Sequence, residues 1–271
     1  MRRVRPETGT QIERAGKTVT SIIAIANQKG GVGKTTTAVN IAALSALAGK
    51  SSLLVDLDPQ ANATSNLGVK RDSVRNIGQC LISGLPVEEA IVKTAVDRLH
   101  LVPGHSFLTR VEQELATMAD SVTLLRSLMQ SVRPKYDMIF IDCPPSQGFL
   151  PRNALGCADG VLVPIQCEFF AMEGLSQVLS AIESAQKTVN ESLRLDGVFF
   201  TMYEYNLQHS REIVAEIRKH FPDRTYKAMI PRDITVAEAA SFGLPLIMYQ
   251  PRSRAARGYI ELTREVLREH R

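Results

Sequence analysis

The chain predicts an α/β fold: a single domain whose mostly parallel, twisted sheet carries helices on both faces. Two observations lead there. Short, mainly apolar runs recur at 22–26, 52–55, 138–141, 160–165, 197–202 and 226–230. Most are too short for a helix and apolar without alternation, which suits strands covered from two sides. Stretches of helical length separate them, and strands alternating with helices assemble into a parallel sheet. At 271 residues, 44% apolar and 22% charged, the chain is long enough for one large core. No repeat, low-complexity segment or linker divides it, so residues 20–271 are read as the domain. Residues 1–19 are polar and aperiodic, with Arg2, Arg3, Arg5, Arg14 and Lys17, and are read as a flexible basic arm.

The first strand runs into Asn27-Gln28-Lys29-Gly30-Gly31-Val32-Gly33-Lys34-Thr35-Thr36-Thr37. Glycines let such a backbone curl so that its N–H groups point inward at phosphate oxygens, and the helix that follows presents its positive end. Lys34 can then reach the β- and γ-phosphates and the Thr35 hydroxyl can ligate Mg²⁺. Lys29 to Thr36 are therefore the candidate nucleotide-binding residues. A small-residue apolar helix follows from Ala38 to Leu47 and is closed by Gly49. The next strand ends in Asp56-Leu57-Asp58. Alternate residues on a strand share a face, so both carboxylates are expected to point together at its carboxyl end, where open parallel sheets bind ligands. A Mg²⁺ ion and an attacking water would relieve their mutual repulsion.

Residues 61–105 are less periodic: 61–68 reads as a short helix or loop, and 99–102 as a brief strand stopped by Pro103-Gly104. His100 and His105 have no acid or cysteine at metal spacing and read as loop or core histidines. Between 107 and 132 the apolar residues Leu108, Val111, Leu115, Met118, Val122, Leu125 and Leu128 recur every three or four positions, the mark of amphipathic helices. Strand 138–142 is apolar up to its terminal Asp142, a Walker B pattern whose carboxylate holds Mg²⁺. Cys143-Pro144-Pro145-Ser146 then makes a stiff turn that cannot continue the ladder, as a phosphate-sensing switch needs. Further strands at 160–165, 197–202 and 226–230 alternate with helices to about 190, at 208–220 and at about 255–269. The last helix is amphipathic through Tyr259, Ile260, Leu262, Val266 and Leu267 and is read as docked on the domain.

Cys80, Cys143, Cys157 and Cys167 show no paired spacing, and their apolar neighbours suggest buried thiols of a reducing compartment. No run reaches the roughly 18 apolar residues of a membrane span, and Arg2-Arg3 is not followed by an apolar signal core. A cytoplasmic protein is expected. The net charge of +4 permits an acidic partner without requiring one.

The nucleotide loop departs from the general pattern, with Gln28 where the first glycine is expected and a second lysine, Lys29, at its entrance. In this it resembles the deviant Walker A motif of the ParA/MinD family of P-loop ATPases. Residues 55–65, Asp142-Cys143-Pro144-Pro145-Ser146 and the run 164–175 are similar to ParA-type partition ATPases, more than to the MinD or nitrogenase-iron-protein branches. The resemblance spans about Ser21 to Leu267. It implies a homodimer closed around ATP, with Lys29 crossing to the partner's nucleotide and Lys34 acting in cis. It further implies that Asp58 positions the attacking water, that Thr35 and Asp142 lie at Mg²⁺ with Asp56 nearby, and that Pro231 and Asp233 contact adenine. The family binds DNA non-specifically, associates with the nucleoid, and is stimulated by a ParB-like activator. Two positions depart from it: Asn206 and Thr235 stand where DNA-contacting arginines often occur, which leaves Arg252, Arg254 and Arg257 as candidate DNA contacts. The alternative reading is a MinD-like ATPase that uses the membrane as its matrix. A metabolic ATP-dependent enzyme would need a further catalytic constellation, and the sequence offers none.

Overall fold

Alternation along the first strand, β1 (Ser21–Ile25), sorts the core into two layers: Ile22 and Ala24 join one apolar cluster, Ile23 and Ile25 the other. The chain is seen in a computed structural model that describes residues 20–115, 121–168 and 170–270; the arm expected at 1–19 lies outside them. The remaining strands are β2 (Ser52–Asp56), β3 (Val92–Lys93), β4 (Leu99–Val102), β5 (Met138–Asp142), β6 (Gly160–Gln166), β7 (Arg194–Tyr203) and β8 (Thr225–Pro231). They form one sheet in the order β3-β4-β2-β5-β1-β6-β7-β8. Every neighbouring pair is parallel except β3 with β4. From β1 the chain builds outward first to one side and then to the other, and the crevice at such a reversal is where open α/β sheets take ligands.

The helices are α1 (Lys34–Leu47), α2 (Asn62–Asn66), α3 (Ile77–Ser83), α4 (Val87–Ala90), α5 (Leu108–Leu115), α6 (Leu124–Gln130), α7 (Phe149–Cys157), α8 (Ala171–Thr188), α9 (Gln208–His220), α10 (Thr235–Ser241), α11 (Leu246–Tyr249) and α12 (Arg254–Glu269). Helices α1, α2, α10, α11 and α12 cover the Ile23 face, and α3 to α9 cover the Ile22 face. The stretch 61–105, aperiodic in sequence, holds α2, α3, α4 and the strands β3 and β4 at one side of the sheet. Their apolar faces are only one or two turns long, too short to set up a readable period. Helix α3 did carry a local signal: Asn76 and Gln79 cap it reciprocally, Gln79 N–H to Asn76 Oδ1 at 3.3 Å and Asn76 N–H to Gln79 Oε1 at 3.1 Å.

Helix α12 buries Ala255, Tyr259, Leu262 and Val266, so its apolar stripe is used in the core. It comes so close to β8 that a Cβ on Gly258 would stand 2.5 Å from the carbonyl oxygen of Met229. Among the described residues no helix is long and apolar enough to cross a membrane.

Candidate nucleotide site

Strand register brings the ends of three strands level. Asp142 pairs with Ile25 on one side and with Asp56 on the other, so the loop after β1 and the acids of β2 and β5 converge. The loop is pinned from its flank. Asn27 accepts from Lys29 N–H (3.0 Å) and donates to Pro164 O (2.8 Å), while the Thr201 hydroxyl donates to Val32 O (2.8 Å). Gly31 and Gly33 have φ of 76° and 88°, a left-handed backbone that side chains disfavour. A Cβ on Gly30 or Gly31 would meet no protein atom within 4 Å, so the space over the loop is open to a ligand. The ladder of α1 begins with Thr37 N–H to Gly33 O (2.9 Å), which leaves the loop amides before it outside the ladder and available to phosphate oxygens.

The charges at this convergence are buried. Lys34 is 6% exposed and folds back so that Nζ donates to Lys29 O at 2.9 Å. Burial lowers its ammonium from the usual lysine value, against the pull of Asp142 and Asp58. Asp142 is fully buried, and neither of its oxygens has a hydrogen-bond partner. Burial first, and then repulsion from Asp56, raises its carboxyl well above the ordinary range, although the nearby Thr35 hydroxyl favours the charged form. Asp56 is equally buried but caged. Its Oδ2 accepts from Thr64 N–H (2.8 Å) and Thr64 Oγ1 (2.6 Å), and its Oδ1 from Asp58 N–H (3.3 Å). Gly104 closes the cage, since a Cβ there would lie 2.7 Å from the Asp56 carboxyl carbon. Burial pushes Asp56 up to about 6, with Asp58 adding to the shift and Thr64 opposing it.

The acid that ends β2 and the acid two residues beyond it are therefore held differently. The strand ends at Asp56, and Asp58 lies in the following turn, its Oδ1 accepting from Gln60 N–H at 2.9 Å. A metal bond from Asp56 would compete with the Thr64 donors, whereas both Asp142 oxygens are unpartnered. Three buried carboxylates face one buried ammonium. The Thr35 hydroxyl and the orphaned Asp142 carboxylate are hard oxygen donors, and a divalent cation offsets that excess of negative charge; this set fits Mg²⁺.

The other expected site residues lie around this centre. Lys29 is half-buried at the loop entrance, its Nζ 2.6 Å from Glu168 Oε2. Pro231 ends β8. Asp233 ties together the starts of two helices, accepting from Thr235 N–H (3.1 Å), Thr235 Oγ1 (2.8 Å) and Ala255 N–H (3.2 Å). Arg252, Arg254 and Arg257 are exposed around the start of α12. Among the described residues none of the three has an ion-pair partner within 4 Å, the exposed Glu261 included. All four cysteines are buried and free; burial raises Cys157 and Cys167 to about 12, which makes them inert. His100 meets the Tyr136 hydroxyl at 3.1 Å, and His105 meets Asp72 at 3.2 Å. Thr64, Gly104 and Thr201 support the site without having been expected there, and Glu168 stands outside it, at the loop entrance.

A family model described as an AAA domain matches residues 20–195. The sporulation initiation inhibitor protein Soj of Bacillus subtilis is 44% identical over 90% of this chain and 97% of its own length. The chain belongs to the ParA/MinD family. Within that family it is also similar to the chromosome partitioning protein ParA of Myxococcus xanthus, at 41% identity over 94% of this chain and 91% of that protein. A solved structure described as cobyrinic acid a,c-diamide synthase from Mycobacterium smegmatis, with bound ATP analogue and magnesium, superposes with a TM-score of 0.81. It is 32% identical and covers 93% of this chain and 96% of its own.

Proposed function

We propose that this protein is a chromosome-partitioning ATPase of the ParA type. It binds ATP with Mg²⁺, closes into a dimer across the nucleotide, holds DNA without regard to sequence as the dimer, and hydrolyses ATP slowly until a ParB-like partner speeds the step. The observation that carries this reading is the two-lysine loop facing a buried, unpartnered Asp142, in a chain 44% identical to Soj. Lys34 and the loop amides hold the phosphates, and Thr35 and Asp142 hold the metal, with the Asp56 charge behind them. Mg²⁺, when bound, neutralises charge on the β- and γ-oxygens. Asp58 orients the attacking water, whose oxygen bonds to the γ-phosphorus as the bond to the β–γ bridging oxygen breaks. Lys29 serves the partner's nucleotide, and Pro231 and Asp233 border the adenine.

Two further features support the parts of this reading. Phe170, Tyr205 and Ile234, which follow β6, β7 and β8, are 58%, 55% and 72% exposed. Apolar surface at the carboxyl end of the sheet is what a second copy would cover. Arg252, Arg254 and Arg257 project from one helix start, and an ATP dimer doubles the set, so DNA contacts go to phosphate and place the protein on the nucleoid. The buried stripe of α12 leaves no free amphipathic face there for a membrane matrix.

The test is chromatography of the Asp58→Ala variant with ATP, followed by a gel shift on unrelated DNAs. A persistent dimer that shifts every DNA supports the reading. The triple alanine variant at 252, 254 and 257 is expected to bind about tenfold more weakly. An Asp58→Ala monomer with impaired nucleotide binding would reject the water-positioning role, and equal DNA binding by the triple variant would move the contact elsewhere.

A further inference from the structure

We infer that Glu168 is the positioning residue of the loop lysine: in the free subunit it holds Lys29 in cis, and closure of the dimer exchanges that bond for the partner's phosphates. The inference rests on the reading of Lys29 as a residue that acts across the dimer.

The geometry separates what can move from what cannot. The backbone of Lys29 is held on both sides, its N–H by Asn27 Oδ1 at 3.0 Å and its carbonyl by Lys34 Nζ at 2.9 Å. Only the side chain is left to choose a partner, and in the free subunit it chooses Glu168 at 2.6 Å. Glu168 is placed for this. Gln166, at the end of β6, donates its side-chain amide to the other carboxylate oxygen, and the Glu168 N–H donates to Gln166 O at 2.8 Å. The Glu168 carbonyl accepts from Ala171 N–H at 2.9 Å, at the start of α8. The acid is thereby anchored to the sheet and to α8 and cannot follow Lys29 outward.

The pair is open to water, with side chains 32% and 48% exposed, and exposed ion pairs hold weakly. The bond is a bias and not a lock. One carboxylate competes with a triphosphate that carries several negative charges, and the triphosphate wins once the partner delivers it. Phe170 and Met172, two and four residues beyond Glu168, are 58% and 37% exposed. A second copy that covers them dries the neighbourhood of the ion pair, and burying two charges is unfavourable unless each keeps a good partner. Docking and release of Lys29 are therefore coupled.

A double-mutant cycle on the full chain decides this, with wild type, Glu168→Gln, Lys29→Ala and the double variant. The readouts are the dimer dissociation constant with a non-hydrolysable ATP analogue and the affinity of the monomer for a fluorescent ATP. Glu168→Gln is expected to tighten the dimer about two- to fivefold, to leave monomer affinity unchanged, and to have no effect in the Lys29→Ala background. A dimer no tighter, or an equal gain without Lys29, overturns the role of Glu168 even when Lys29→Ala is itself impaired. If Lys29→Ala dimerises and hydrolyses as wild type does, the trans-lysine reading itself fails and this proposal falls with it.

Discussion

Two clusters of buried charge lie at opposite ends of the same sheet, and they differ in one respect. At the carboxyl end Asp142 is fully buried and both of its oxygens are without partners. Near the amino end of β7, Asp196 is 3% exposed, yet one oxygen accepts from Arg194 Nε at 2.9 Å and the other meets His270 Nε2 at 3.0 Å. Burial works against the charged form of both. In Asp142 it prevails and raises the carboxyl. In Asp196 the bonds from His270 and Arg194 overcome it and hold the carboxyl below the ordinary 3.8. Buried charges that are fully paired belong to the architecture; one left unpaired in a native fold asks for a ligand.

The largest effect expected from this contrast is on turnover. Asp142→Asn should lower ATP hydrolysis a hundred- to thousandfold, about the range for removing a group that acts on developing charge. Melting of the nucleotide-free protein should stay put or rise, because the substitution removes a buried carboxyl that has no hydrogen-bond partner. Phosphate release and thermal melts check both halves, and a large loss of stability would place Asp142 among the structural acids. Asp196→Ala should do the reverse. It strands a buried His270 and should cost about 3 kcal/mol in denaturant unfolding, with turnover retained at low temperature.

Asp56 sharpens the comparison because it stands between the two cases, buried at the site yet held by Thr64. Thr64→Val should destabilise the fold by about 1–2 kcal/mol, the cost of leaving a buried acceptor without its donor, and should slow hydrolysis less than Asp142→Asn does. Equal losses in both variants would mean that Asp56, rather than Asp142, is the principal metal-facing acid. The smallest effect concerns pH. The folded value of Asp196 is depressed, so its stabilisation is present above the unfolded value and is lost as pH falls through the folded one. The stability gap between wild type and Asp196→Asn should therefore close as pH falls from about pH 5 toward about pH 3. A gap that widens in acid would reverse the sign.

What the sequence determined by itself was local. Lys29 to Thr36 announce a phosphate loop because glycine spacing, the lysine and the hydroxyl act within a few residues of one another. Asp142 is legible because an apolar strand ends on it, and α9 or α12 because an amphipathic stripe repeats within a single element. Tertiary structure decided everything that depends on which strand lies next to which. Asp56 and Asp58, expected to point together, have different partners: Asp56 is held by Thr64 and closed over by Gly104, which the sheet brings in from the adjoining strand end, and Asp58 by Gln60 N–H. Lys29 and Glu168 are 139 positions apart, and Asp196 and His270 are 74 apart. A periodic pattern encodes the face an element buries, whereas a pair such as these exists only once β6 has paired with β1 and α12 has packed against β8. Burial and partnership are properties of that assembly, and they alone separate Asp142, buried without a hydrogen-bond partner, from Asp196, buried and paired.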